Sequence, residues 1–470
     1  MFFEKACQQN TYKKISVWLT DKHLQILHST SRALRRQAVR SVNRVWEKAN
    51  VIKKGAIVTG KHAVQGVVAA VMLTGMTSSV FANGYKILGV KSAKATAMGE
   101  AFIVQADDPS AIAFNPAGIA QLNGVQVNVH ATVCNGFTEY TSPSGIETDN
   151  KDRWQVVPSL FVTTDTGLEN VTAGIGVSFP NGLSSDWGKD SFARYVTTYS
   201  QMLLADIAPT FGMLIGERLM IGGGINFYYS EVNLQSMADM GLAAGLPGMA
   251  DVEKVLKGDG TAWGGNIGAI YKINERNSVA ATCRFPFTVD YSGDLGLAGA
   301  KSPIDASLDF PLVAVLGYAF KPTAKCKVEL NLDWTNWKAV DDTVITTQFP
   351  GLESIVYQWQ LKNTMAYKIG TEYAYSDKLA LRCGYIYNEN ATPAETWRPS
   401  LPDTDTHFFS AGFGYKMGDL TVDTAFLLIY YAKRDVSNNV DMNELLSSSS
   451  IDGTYRTWAP SVAVSATYKF

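Results

Sequence analysis

Charge is scarce in this chain. Lys, Arg, Asp and Glu make up 18% of 470 residues, where an ordinary soluble domain carries about 25%. Long apolar runs are missing as well. The stretch His62–Tyr85 is free of charge, but its apolar part, Val64 to Leu73, falls well short of the roughly 20 residues a membrane-crossing helix needs. A mean hydropathy of −0.02 also argues against a bundle of such helices. Cysteine is rare: Cys7, Cys134, Cys283, Cys326 and Cys383 form no C-x-x-C pair, and no histidine stands at ligand spacing from them. These cysteines read as small apolar residues, not as a disulfide framework or a metal centre. G-x-S-x-G, H-E-x-x-H and P-loop motifs are all absent, so the expectation is no enzyme, no cofactor, no metal and no nucleotide. Only His130 and His407 follow the first 82 residues, which leaves little for Ser-His chemistry.

Glycine and aromatics are abundant instead: 40 Gly, 21 Tyr, 21 Phe and 10 Trp. A membrane barrel uses glycine where strands bend and aromatics where its wall meets lipid headgroups. Charge is also divided unevenly. The first 82 residues hold 13 Lys and Arg against 3 Asp and Glu, a balance of +10; the remainder holds 28 against 40, a balance of −12. A basic leader before an acidic body points to export, not to a nucleic-acid partner. Lys53, Lys54 and Lys61, then the apolar run, then Val80-Phe81-Ala82 have the three parts of a secretory signal. Cleavage is expected after Ala82, with residues 1–82 as leader and 1–50 as an upstream extension from a misassigned start or a long signal.

Beyond Ala120 the hydrophobic period is two. Val328, Leu330, Leu332 and Trp334 alternate with Lys327, Glu329, Asn331 and Asp333. Met365, Tyr367, Ile369 and Tyr373 oppose Lys368, Gly370 and Glu372. Fourteen such runs are counted: 125–134, 155–164, 171–179, 203–214, 219–231, 263–273, 277–291, 306–319, 325–337, 364–375, 378–388, 407–417, 419–432 and 459–470. Most reach the roughly 9–11 residues that a tilted strand needs to span. Strands in lipid must close on themselves because no edge can stay unpaired there. Short separators such as 274–276 alternate with long ones such as 232–262 and 338–363, as turns on one side and loops on the other would. The expected fold is therefore all-β: a transmembrane antiparallel barrel over 123–470. Residues 83–122 lack alternation and read as a compact hatch plugging the lumen.

Several motifs carry a resemblance. These are Asp107-Asp108 with Asn115-Pro116-Ala117 and Leu122; Val157-Pro158 with Phe161; Phe179-Pro180-Asn181-Gly182-Leu183; and Leu308 to Pro311. The strongest stretch runs from Thr392-Pro393-Ala394 through Arg398 to Pro402, Asp403 and Asp405, then Phe408 to Gly412. Their order and spacing resemble the long-chain fatty acid transporter family (FadL-like), which includes aromatic-hydrocarbon channels, from about residue 86 to 470. The resemblance implies a fourteen-stranded barrel in the outer membrane of a Gram-negative bacterium, closed by an N-terminal hatch. Substrate would enter at a groove between long loops, settle beside the hatch and leave sideways at a kink in the third strand.

On that reading Asn115, Pro116 and Ala117 form a rigid corner of the hatch, since Pro fixes φ and Asn ties a tight turn. Pro180, Asn181 and Gly182 break the third strand, because Pro lacks the ladder N–H and Gly admits positive φ. Met237, Met240, Leu242, Leu246 and Met249, an apolar patch on a loop, are the entrance groove. Asn233, Gln235 and Ser236 stand where the resemblance leads one to look for an Arg, so the head-group contacts include those three neutral residues and the candidate cations Lys338, Lys362, Lys368 and Arg382. The expected cargo is a long-chain fatty acid; a neutral aromatic or aliphatic hydrocarbon is the alternative. An adhesin or phage-receptor barrel is the reading from another class. Partners would be outer-membrane lipid and the barrel-assembly machinery, which reads a terminal aromatic such as Phe470, and the barrel is expected to be a monomer.

Overall fold

Alternation decides which way each strand faces. Along Cys326–Thr335, Glu329, Asn331 and Asp333 are buried while Leu330, Leu332 and Trp334 are 47%, 37% and 37% exposed. A soluble sandwich buries its apolar row. Here the polar row turns inward and the apolar row outward, as a barrel in lipid requires. The computed structural model describes residues 84–246, 248–437 and 450–470. The expected leader, its cleavage site and the residues before it lie outside these.

Fourteen strands form the wall: β1 Gln126–Cys134, β2 Gln155–Asp165, β3 Val171–Asp186, β4 Tyr199–Ile215, β5 Leu219–Ala238, β6 Val252–Lys272, β7 Asn277–Arg284 with Phe287–Leu297, β8 Ala300–Phe310 with Val313–Thr323, β9 Cys326–Thr335, β10 Thr364–Ala374, β11 Leu379–Asn388, β12 Thr406–Met417, β13 Leu420–Tyr431 and β14 Gly453–Lys469. Each pairs antiparallel with the next, and β1 pairs with β14 from Gln126–Lys469 to Cys134–Ser461, which closes the sheet. β7 and β8 are interrupted at Phe285-Pro286 and Pro311-Leu312, where proline cannot donate to a ladder.

Every alternating run of the sequence lies in a wall strand, but the strands outrun the runs. β5 and β6 are 20 and 21 residues long, about twice what a bilayer needs. The expected loop 232–262 is therefore mostly two paired strands, from Val232–Gly258 to Ala238–Val252, leaving only a tip around helix α3, Met240–Ala244. A hairpin, Thr343–Phe349 and Leu352–Tyr357, extends the sheet beside β8 on the long-loop side. It likewise takes up part of the expected separator 338–363. Glycine and charge interrupt the hydrophobic pattern in these extensions, so period-two counting stops before the backbone pairing does.

Residues 84–122 pack against inward-facing side chains of opposite walls. Helix α1, Ala93–Ala97, is capped by Ser92 and lies against β12, β13 and β14. Helix α2, Ala111–Phe114, and the 3-10 turn Pro116–Gln121 lie against β3 to β6. Small residues allow this fit: Ala93, Ala95, Ala97, Ala111 and Ala117 are fully buried.

Candidate functional site

Two sets of polar contacts fix the inner segment. Asn115 accepts from Ala117 N at 3.1 Å and donates to Ile103 O at 2.9 Å and to Ala269 O of β6 at 3.3 Å. Pro116 follows at the first position of the turn, where its missing N–H costs nothing. The second set is ionic. Glu329 accepts from Val104 N and Gln105 N at 2.8 and 2.9 Å. Lys368 pairs with Asp333 at 2.8 Å and Glu100 at 3.5 Å, and Lys86 reaches Asp333 at 3.6 Å. Arg382 pairs with Glu372 and Asp423 at 2.7 Å each. Lys368 and Arg382 are thus held by wall and segment acids.

Glycines in the wall give the segment room. A Cβ on Gly222 of β5 would sit 2.5 Å from Pro116 C and O, and one on Gly384 of β11 would sit 2.2 Å from Met98 C. Gly222→Ala is therefore expected to loosen the Asn115–Ala117 corner by about 2 kcal/mol, the typical cost of overpacking. Hydrogen exchange over residues 102–121 should accelerate while the barrel keeps its heat-resistant gel mobility. Unchanged protection would mean the corner is not seated on that glycine.

β3 breaks where Pro180-Asn181-Gly182 predicts. Ser178 pairs with Asp206 but Asn181 pairs with Leu204, so Phe179 and Pro180 together oppose Ala205. This is a bulge. On its other side β3 pairs with β2 only from Thr172–Asp165 to Val177–Leu160. Beyond Val177 its partner is the start of the described chain: Ile87 N donates to Pro180 O and Gly182 N to Tyr85 O, both at 2.9 Å. Residues 155–159 of β2 thus have no partner from β3, and residues 85–87 take the place of a strand beside β3.

Above the segment lies a cavity on the long-loop side. Its walls are largely apolar: Leu183, Met202, Leu256, Leu295, Ile345 and Leu401 among others. Gln235 and Ser236 line it as well, whereas Asn233 lines a separate groove with Lys257 and Asp259. Lys338 and Lys362 are exposed and border neither space. Met237 lies in the last pair but one of β5, opposite Glu253, Met240 opens α3, and Leu242, Leu246 and Met249 are exposed at the hairpin tip by 46%, 60% and 45%.

Two cations that sequence reasoning had not singled out as head-group contacts also line this cavity, Lys254 and Arg398. Arg398, in the loop before β12, is 5% exposed. Its Nη2 donates to Gln358 O at 3.1 Å and its guanidinium lies 4.9 Å from the centre of the Tyr357 ring, but Nε and Nη1 have no hydrogen-bond partner among the described residues. Burial lowers its pKa to about 10, against the pull of Tyr357 and Asp342, so it stays charged at neutral pH. Arg398 had been read only as part of a sequence motif. No local signal marks a guanidinium as unpaired, because its partners or their absence are set by strands far away in the chain.

A model of outer membrane transport proteins, the OMPP1/FadL/TodX family, matches residues 73–470. An outer membrane protein of Neisseria meningitidis serogroup B is 24% identical over 84% of this chain and 96% of its own length. The long-chain fatty acid transport protein of Escherichia coli is 22% identical over 68% of this chain and 81% of its own. Among solved structures, a Pseudomonas aeruginosa FadL homologue superposes with a TM-score of 0.73 at 18% identity, covering 82% of this chain and all of that one. The Pseudomonas putida toluene transporter TodX superposes at 0.63 and 17% identity, covering 84% of this chain and all of that one.

Proposed function

The chain belongs to the OMPP1/FadL/TodX family of outer membrane transport proteins, and from that premise we propose that its cargo is a long-chain carboxylate, bound by tail in the outer cavity and by head at Arg398. The protein is an outer-membrane β-barrel transporter of that family. The observation that carries the finer reading is the buried guanidinium with two unmet donors in a largely apolar cavity. Burying an uncompensated charge costs several kcal/mol, and a carboxylate would offset that cost best because it accepts a charge-assisted hydrogen bond from an unmet guanidinium donor. Lys254 adds a second cation to the same lining. The apolar remainder suits an alkyl tail, which enters by hydrophobic partition without nucleotide.

On this reading the segment 84–122 is the hatch beneath the cavity, with Asn115, Pro116 and Ala117 as its corner. The exposed apolar tip of Leu242, Leu246 and Met249 gathers cargo from outside. The unpaired seam between β2 and β3 at Pro180, Asn181 and Gly182 releases it sideways. A second reading, a neutral hydrocarbon, is favoured by the uncharged Gln235 and Ser236 in the cavity wall.

One experiment separates them. Cells lacking their own fatty-acid channel, with and without this protein, are given labelled oleate or labelled toluene. Oleate uptake restored by the protein, and lost when Asn115-Pro116-Ala117 is replaced by three glycines, supports the carboxylate reading. Toluene uptake without oleate uptake, from a barrel shown to be folded in the outer membrane, would overturn it in favour of the hydrocarbon.

A further inference from the structure

A second cavity differs in kind from the first. Four cations line it, Lys86, Lys91, Arg284 and Lys368, against two acids, Glu100 and Asp333. It also reaches Pro180 and Asn181 at the break in β3. An aromatic partition lies between the two spaces. Tyr85 borders the first, and Phe287, Phe310 and Trp337 border the second. The Tyr85 ring meets Trp337 at 4.7 Å and Phe310 at 5.1 Å, and Phe310 stacks on Phe287 at 4.6 Å.

The charges of the second cavity do not cancel. Arg284 is held by Asp206 and the Tyr228 hydroxyl, each at 2.8 Å. Lys86 and Lys368 share Asp333, and Lys368 also reaches Glu100. Lys91 remains. It has no acid within ion-pair distance among the described residues, and its ammonium stands 4.6 Å from the centre of the Phe114 ring. Thr335, buried to 1% exposure on the same lining, has a hydroxyl with no partner.

We propose that this second cavity is a head-group station for a departing carboxylate, with Lys91 as its receiver and Thr335 as a supporting donor. The proposal rests on the carboxylate reading of the outer cavity. Its physical basis is the geometry of the exit. A cargo leaving through the unpaired β2–β3 seam puts its tail into lipid while its carboxylate is still inside the barrel. A bare carboxylate among apolar walls would be strongly disfavoured. A cavity with spare positive charge directly behind the seam removes that barrier. It would do nothing for a neutral hydrocarbon, so the station selects for the anion at the exit as Arg398 does at the entrance. The Asp333 and Glu100 carboxylates do not outweigh this: Lys86 and Lys368 hold Asp333, Lys368 and Lys91 share Glu100, and with Arg284 paired to Asp206 the four cations still exceed the three acids by one charge.

The test compares wild type, Lys91→Met and Lys91→Arg for uptake of oleate and of oleyl alcohol, which has the same tail without the charge. Equilibrium oleate binding to each purified protein is measured alongside, and folding is checked by heat-resistant gel mobility. Lys91→Met should slow oleate uptake about tenfold, the scale of one lost hydrogen bond to a charged group. Oleyl alcohol uptake and oleate binding should stay within about twofold, and Lys91→Arg should recover most of the oleate rate. Equal slowing of both cargoes, or none of either, overturns the station. A wild-type protein that binds no oleate overturns the carboxylate reading itself, and the station with it.

Discussion

Deleting Pro180 is expected to reduce transport of every cargo to the background of cells without the protein, while binding in the outer cavity survives. Phe179 and Pro180 are two residues opposite one, Ala205. Removing one of them restores a one-to-one ladder between β3 and β4 without turning the rest of β3 over, because the bulge pair counts as a single position in the alternation. Leu183, on the outer-cavity lining, keeps its face. A straight β3 has its edge free to meet residues 155–159 of β2, which at present have no partner from β3. It displaces Tyr85 to Ile87 from their two hydrogen bonds at 2.9 Å. The wall is then sealed where the proposed exit lies. Purified protein should bind oleate within about threefold of wild type, less than one kcal/mol, because Arg398 is untouched and Tyr85 is the one lining residue that the change displaces. Uptake that continues at the wild-type rate would show that cargo leaves by another route, and the gap at β3 would lose its assigned role.

The wall was legible because lipid imposes a strict rule on it. Leu330, Leu332 and Trp334 must face outward and Glu329 and Asp333 inward, and that rule is written residue by residue. Outside the bilayer the rule lapses. Gly258, Gly260 and Lys257 of β6 pair fully with β5 and β7, yet nothing in their order distinguishes strand from loop. The break at Pro180 was legible for a similar local reason, since proline and glycine act on their own backbone. The ionic partners were not. Lys368 looked like a free lumen cation because Glu100 stands 268 positions earlier in the chain. Arg398 looked like a motif residue because the absence of a carboxylate partner is a property of the folded loops alone. Sequence reasoning therefore found the frame, whereas of the head-group cations it named the fold pairs Lys368 and Arg382 with acids and leaves Lys338 and Lys362 outside both cavities.

Arg398→Met should weaken oleate binding by about 30- to 100-fold, the equivalent of roughly 2–3 kcal/mol for a charge-assisted contact. Methionine keeps the length and apolar stem of the side chain, so the cavity wall is preserved while both unmet donors disappear. Affinity for oleyl alcohol should stay within about twofold. Arg398→Lys should recover only part of the loss, since an ammonium does not reproduce the fixed donor geometry of a guanidinium. The pH profile separates charge from shape. Burial places the pKa of Lys254, on the same lining, at about 8 and that of Arg398 at about 10, so wild-type affinity should weaken as the ammonium loses its proton near 8 and fall again as the guanidinium loses its own near 10. The Met variant should keep the first decline and lose the second. Stability should move the opposite way from affinity. An arginine buried with no acid within ion-pair distance among the described residues strains the empty protein, and its replacement by a side chain of similar bulk is expected to leave the thermal unfolding temperature unchanged or raise it. If Arg398→Met destabilised the barrel and left oleate affinity intact, Arg398 would be a structural residue of its loop, held by Gln358 and Tyr357, and the head group would have to be sought at Lys254.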